Sequence, residues 1–227
     1  MKLTLAALAT TMMVASPALA DLIVPNMSYR TGPYAANGIP YADGFADYFT
    51  LLNERDGGIG GRQRLARKVA LAVATAEYHL ERPIRSVLDI GCGEGAWRAP
   101  LLKLRPKVRY LGFDSSEYAI VRHGARRNLH LARFGDFAWL RPCAPADLLV
   151  CADVLHYLPT RELNQGLQGL AELCGGVAFL EAFTAEDEFE GDTDGFQPRT
   201  ARWYRRRLQA QGFTPVGSHC WLGPALA

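Results

Sequence analysis

From residue 65 onward the apolar positions switch period in regular alternation. Leu65, Val69, Ala72, Val73, Ala76 and Leu80 recur at helical spacing and predict an amphipathic helix that stops before Pro83. Ser86 to Ile90 is a short apolar run suited to a strand buried on both faces. Ala96 to Leu104 then reads as helix, with Pro100 confined to its first turns or bending it. Val108 to Phe113 is a second strand ending in Asp114, Glu117 to Arg127 a helix, and His130 to Phe134 a third strand leaving through Gly135-Asp136-Phe137. Asp147 to Ala152 is a fourth strand. Behind a Thr160 cap, Leu163, Leu167, Leu170 and Cys174 mark one helix face, ended by Gly175-Gly176. Val177 to Phe183 is a fifth strand, Thr200 to Gly212 a last helix with Gly212 as its C′ residue, and Phe213 to Trp221 one more strand. Strands alternating with helices in this way predict an α/β fold, a doubly wound, mostly parallel Rossmann-like sheet with helices on both faces.

The first 61 residues do not follow that rhythm. Met1-Lys2 is a short basic start, Leu3 to Ala15 is largely apolar, and Ala18-Leu19-Ala20 forms an A-x-A site before Asp21, the three regions of a secretory signal in order. Residues 21–61 are rich in Gly, Pro, Asn and Asp, with Asp43 able to cap a short helix from Gly44 to Glu54. Gly57-Gly58-Ile59-Gly60-Gly61 is expected to break any helix, which sets a boundary. Three segments result: 1–20 signal-like, 21–61 partly irregular, and 62–227 the main domain.

Composition narrows the class only a little. With 227 residues, 49% hydrophobic and 21% charged, the chain can bury one full core. A net charge of +2 calls for no electrostatic partner. Cys92, Cys143, Cys151, Cys174 and Cys220 form no CxxC or His/Cys cluster with metal-ligand spacing, and their odd number fits reduced thiols and the cytosol. That compartment conflicts with the signal-like start.

The chemistry concentrates at the end of the first strand. Gly91, Gly93 and Gly95, with Cys92 between them, remove side chains where the backbone must turn sharply and meet a ligand. Asp89 precedes this turn, Asp114 ends the next strand nineteen residues after Gly95, and Asp136 stands at the exit of the one after that. An acid at the second strand's end can accept from both ribose hydroxyls. Asp136 can meet an adenine amino group, with Phe137 as an apolar wall, so the three acids outline a nucleoside-sized ligand. Ser115 beside Asp114, and Ala152 and Asp153 at the fourth strand's end, complete the set. A nicotinamide site uses a GxGxxG, often without the acid; here the acid is present and the spacing is tighter. His156 is either a general base or a packing histidine, and Tyr157 a pocket wall. His123 and His130 read as structural or solvated. Arg202, Arg205, Arg206 and Arg207 beside Trp203 and Tyr204 form the clearest basic patch, read as a solvated helix face, and Glu181, Glu186, Asp187, Glu188, Glu190, Asp192 and Asp194 make an acidic run after the fifth strand, either a cover for the substrate or an exposed loop pairing with those arginines.

On these motifs residues 62–223 resemble class I S-adenosylmethionine-dependent methyltransferases of small-molecule type. The resemblance implies that S-adenosylmethionine is the cofactor, with the Gly91 to Gly95 loop under its methionine part, Asp114 on the ribose and Asp136 at the adenine. It implies methyl transfer to an O or N atom of a small molecule, chemistry that needs alignment rather than a metal or covalent nucleophile. Asp153-Val154-Leu155-His156 lacks the Asn/Asp-Pro-Pro-aromatic motif of many amino-methylating nucleic-acid enzymes, so no nucleic-acid partner is expected. The family's final strand is expected to be missing, leaving an open sheet edge that favours self-association. Arg30-Thr31-Gly32-Pro33-Tyr34, Gly44-Phe45-Ala46-Asp47-Tyr48-Phe49 and Asn53-Glu54-Arg55-Asp56-Gly57-Gly58-Ile59 resemble the mature start of periplasmic solute-binding proteins of branched-chain amino acid-type transporters. That second likeness implies export to the periplasm, whereas the cofactor implies a cytoplasmic active form with no stable membrane span. The alternatives to an enzyme are a secreted solute-binding fragment and an inactive fusion that retains only cofactor binding.

Overall fold

A computed structural model describes residues 58–187 and 195–226, with side chains from Gln63 onward. The signal-like segment and the solute-binding-protein-like stretch lie outside the described residues, as do the short helix from Gly44 and part of the acidic run. In chain order the elements are α1 (Gly58–Leu80), β1 (Ser86–Ile90), α2 (Arg98–Leu104), β2 (Arg109–Asp114), α3 (Glu117–Arg127), β3 (Leu129–Leu131), a 3-10 turn (Phe134–Ala138), β4 (Ala146–Ala152), α4 (Thr160–Leu173), β5 (Cys174–Glu181), α5 (Ala201–Ala210), β6 (Thr214–Gly217) and β7 (Cys220–Leu222).

The strands form one seven-stranded sheet in the order β3-β2-β1-β4-β5-β7-β6. β1 runs parallel to both β2 and β4, while β7 is antiparallel to β5 and β6. The chain winds outward from β1 to β3 and then crosses back to β4. The switch in winding therefore falls between β1 and β4, where open α/β sheets leave a crevice. Side chains alternate along each strand. Val87, Leu148 and Val150 pack under α1 and α2, and Leu88, Ile90, Leu149 and Cys151 pack under α4 and α5. Burial on both faces explains why these strands read as unbroken apolar runs.

Three boundaries differ from the sequence expectation for local reasons. α1 starts within the glycine run that was expected to break it, because the first turn of a helix has amide groups without intrahelical partners and tolerates poor helix formers. β3 stops at Leu131, because Asp136 accepts a hydrogen bond from the Arg133 backbone N–H (2.8 Å) and closes a capped turn there. Gly175 and Gly176 belong to β5 rather than ending α4. A Cβ at Gly176 would lie 2.2 Å from the Asp147 carbonyl oxygen, so the glycine lets β4 and β5 approach.

The largest correction concerns the C-terminal end. The single strand expected over Phe213 to Trp221 is a hairpin, folded at Ser218 and His219 with φ of 48° and 64°, and its second arm lies between β5 and β6. The final strand is therefore present, and β5 is not an open edge. The short strand β6, which carries Pro215, stands at that end of the sheet instead.

Candidate active site

The turn after β1 is built from its own backbone. Gly91 N–H (2.7 Å) and Cys92 N–H (3.0 Å) both donate to the Phe113 carbonyl oxygen, and Gly95 N–H donates to that of Cys92 (2.8 Å). Gly93 N–H donates to Asp114 Oδ2 at 2.7 Å, tying the turn to the end of β2. Gly91, Gly93 and Gly95 have φ of 75°, 53° and 79°, a left-handed backbone that suits glycine. At Gly91 there is no room either, since an added Cβ would lie 2.1 Å from Val154 Cγ2. Over Gly93 the same atom would meet nothing within 4 Å. Arg127, in the last turn of α3, donates to the Glu94 carbonyl (2.6 Å) and holds the far side of the turn.

Two carboxylates flank the turn. Asp114 is half-buried, and each of its oxygens takes one backbone N–H, from Gly93 and from Ser116 (2.8 Å). A carboxylate offers about four acceptor sites, so capacity for two hydroxyl donors remains. Asp89 is 1% exposed and accepts a hydrogen bond from Tyr110 Oη at 2.7 Å. Burial, opposed by that hydrogen bond and reinforced by the negative charge of Asp114, pushes its carboxyl up to about 7.

Other residues singled out in the sequence fall in different places. Asp136 is half-exposed at the exit of β3, its carboxylate capping the 3-10 turn. Phe137 is fully buried and packs edge-on against Phe113, so its ring is core rather than a wall. Ser115 is exposed beside Asp114, and Ala152 and Asp153 stand at the end of β4, Asp153 with φ of 59°.

His156 is 1% exposed, and its Nδ1 accepts from the Phe183 backbone N–H at 3.2 Å. That bond places the ring proton on Nε2 and engages the basic nitrogen, while burial holds the ring below its ordinary pKa. The general-base reading gives way to the packing one: Tyr157, half-buried, and Phe183 surround the ring. Two features were not legible beforehand. Arg199, buried, binds the carbonyls of Leu155 (3.2 Å) and Leu158 (2.6 Å) and so fixes the loop that carries His156. Glu181, at the end of β5, is paired with Lys68 of α1 at 2.6 Å, with His219 3.9 Å away. Lys68 sits on the polar side of the α1 stripe, and only the fold brings it to a strand end.

A glycine turn at the switch point, an acid on the next strand and an antiparallel hairpin closing a parallel sheet define the class I methyltransferase fold. Residues 88–176 match the family model for a methyltransferase domain. A trans-aconitate 2-methyltransferase of Azoarcus sp. (strain BH72) is 29% identical over 150 residues, which make up 63% of this chain and 55% of that protein. The chain thus spans about half the length of that relative. Among solved structures, a SAM-dependent methyltransferase from Archaeoglobus fulgidus superposes with a TM-score of 0.58 at 18% identity, covering 75% of this chain and 76% of that one. The N-methyltransferase NodS from Bradyrhizobium japonicum WM9, in complex with S-adenosyl-L-homocysteine, does so with 0.52 at 19%, covering 78% and 91%.

Proposed function

We propose that the chain binds S-adenosylmethionine over the Gly91 to Gly95 turn and transfers its methyl group to an O or N atom of a small molecule. The observation that carries this reading is the turn's own hydrogen bonding. The amides of Gly91, Cys92, Gly93 and Gly95 are all consumed internally, so the turn lacks the free N–H nest that a dinucleotide's pyrophosphate needs. The half-buried carboxylate of Asp114 beside it repels a phosphate and suits a cationic sulfonium. Open space over Gly93 fits a ligand lying against the backbone. In this reading Asp114 accepts from the ribose, Asp136 stands at the adenine, and Ser115, Ala152 and Asp153 line the crevice. Bound there, the cofactor would supply an activated methyl carbon.

A carboxylate is the acceptor that this site favours. His156 is engaged through its basic nitrogen, and a carboxylate, already ionised at neutral pH, needs no general base. The relative's name, trans-aconitate 2-methyltransferase, points to the same chemistry and supplies a first substrate to try. Lys68, which pairs with Glu181 at 2.6 Å, offers it a cation at the neighbouring strand end. Calorimetry with S-adenosylhomocysteine tests the cofactor assignment: micromolar binding is expected, and no heat at ~1 mM would remove the reading. Methyl ester formation on trans-aconitate and other small di- and tricarboxylates, with S-adenosylhomocysteine as the second product, then tests the acceptor.

The same reading takes residues 62–227 as the methyltransferase domain and the cytosol as the compartment of the active form, because the cofactor is made there. Among the described residues no helix is long and apolar enough to cross a membrane. The signal-like start and the solute-binding-protein-like stretch support the opposite, export to the periplasm. The N-terminal mass of the expressed protein separates the two: a start at Met1 fits the cytosolic form, and a start at Asp21 refutes it.

A further inference from the structure

Helices α4 and α5 cover one face of the sheet, and both border a recess of about 620 Å3. Its lining includes Arg202, Trp203, Arg206 and Arg207 of α5, Asn164 of α4 and the helix cap Thr200. None of the residues around it belongs to the glycine turn or to the strand ends of the site described above.

Three guanidinium groups share this recess, and among the described residues none of them pairs with a carboxylate. The acids of α4 face elsewhere: Glu162 accepts from Gly135 N–H and Glu172 pairs with Arg141. Arg202 and Arg206 stand one helical turn apart, a like-charge spacing that destabilises a helix when nothing neutralises it. The N-terminal end of α5 contributes little further charge, because Thr200 caps Trp203 N–H and the Glu186 carboxylate accepts from Ala201 N–H at 3.1 Å.

One of the three arginines is already held in position. The Arg207 guanidinium lies 4.4 Å over the Trp203 ring and donates to Asn164 Oδ1 at 2.9 Å, while its buried Nε has no hydrogen-bond partner. Arg199 stacks on the same ring at 4.7 Å, so Trp203 works as a post between two guanidiniums and does not offer its face to a nucleobase. A fixed arginine with donors to spare, beside two more cations in a concavity of small-molecule size, describes an oxyanion receptor.

We propose that this recess binds a small organic polyanion carrying phosphate or carboxylate groups, outside the methyl-transfer crevice. A nucleic acid strand is the less suited occupant, because the cations form one cluster in a hollow rather than a track and the aromatic ring is covered.

The test is calorimetric titration of the full chain with pyrophosphate and with citrate, at ionic strength held constant with sodium chloride. Sub-millimolar binding of either is expected, the stronger of the two naming the source of the anion. Arg206→Glu and the double variant Arg202→Ala/Arg206→Ala should weaken that binding more than ~10-fold. Both side chains that change are exposed, so the fold survives, as circular dichroism will show, and S-adenosylhomocysteine affinity should be unchanged. Three results would overturn the proposal: no heat with either anion at ~5 mM, undiminished binding in the double variant, or binding of a short oligonucleotide where both small anions fail. None of these bears on the cofactor assignment, which has its own titration.

Discussion

Asp89→Asn should turn the protein's pH dependence around one residue. The carboxyl is 1% exposed, receives a hydrogen bond from Tyr110 Oη, and is pushed from an ordinary 3.8 to about 7, chiefly by burial. In the unfolded chain it ionises near 3.8, so in the folded chain the neutral form is favoured across the interval between the two values. The stability that this group contributes is then fully present below about pH 4 and is lost as the pH rises through about 7. At 1.36 kcal/mol per pKa unit the loss amounts to about 4 kcal/mol, an order-of-magnitude figure. Asparagine has the same shape, can still accept from Tyr110 Oη and does not titrate. Urea denaturation of both proteins at intervals from about pH 4 to about pH 8 gives the difference directly, since shared titrations cancel in the subtraction. The wild type should lose ground to the variant by several kcal/mol over that range. A difference that stays flat within about 0.5 kcal/mol would refute the idea that Asp89 is held partly protonated by its surroundings.

The opposite sign is expected at Asp147. Burial would raise this carboxyl, but Arg82 (2.7 Å and 3.0 Å) and the Arg85 N–H (2.6 Å) hold it below its ordinary value, so its stabilisation is present above about pH 4 and fades as acid protonates it. The urea midpoint of Asp147→Asn should therefore fall below the wild type at neutral pH and converge with it in acid. Gly91→Ala should lose S-adenosylhomocysteine binding and about 2 kcal/mol or more of stability, because its methyl lands 2.1 Å from Val154 Cγ2 at a positive φ; an unchanged urea midpoint would contradict the packing. In α4, Gly169→Ala would put a Cβ 1.8 Å from the Phe137 carbonyl oxygen and should cost about 3 kcal/mol by thermal or urea melting without touching the crevice. Asp114→Ala should abolish S-adenosylhomocysteine binding by calorimetry, since it removes both the ribose acceptor and the tether to Gly93 N–H.

Much of this fold is legible in the chain because its parallel strands are buried on both faces. β1, β2 and β4 appear as apolar runs with an acid at or beside their C-terminal ends (Asp89, Asp114 and Asp153), and one pattern reports both the sheet and the crevice. What local pattern cannot report is contact between distant residues. Gly166 and Gly169 look like helix weaknesses in the stripe of Leu163, Leu167 and Leu170, yet they let α4 touch the 3-10 turn, an approach defined by residues some thirty positions earlier. The hairpin at Ser218 and His219 was invisible because its turn uses positive φ at two residues that rarely adopt it, without an Asn-Gly signal. His156 and Phe137 drew attention through their place after strand ends. Burial, which sequence position does not encode, assigns one to packing and the other to the core. Arg199 carried no signal beyond being one more arginine near a basic helix.

The insertion of β7 between β5 and β6 has a consequence for the birth of the molecule. β5 ends at Glu181, and the strand that covers its free edge begins at Cys220, made 39 residues later. At a synthesis rate of about 5 to about 20 residues per second, the nascent chain carries β5 uncovered for about 2 to about 8 s, plus the time that Cys220–Leu222 spends inside the ribosomal tunnel. During that interval β5 presents unpaired backbone groups and the apolar run Val177-Ala178-Phe179-Leu180, the kind of edge that pairs with other chains. Until that hairpin has emerged and folded, β5 can pair with the same strand of another nascent chain, and overexpression should fail first through such contacts.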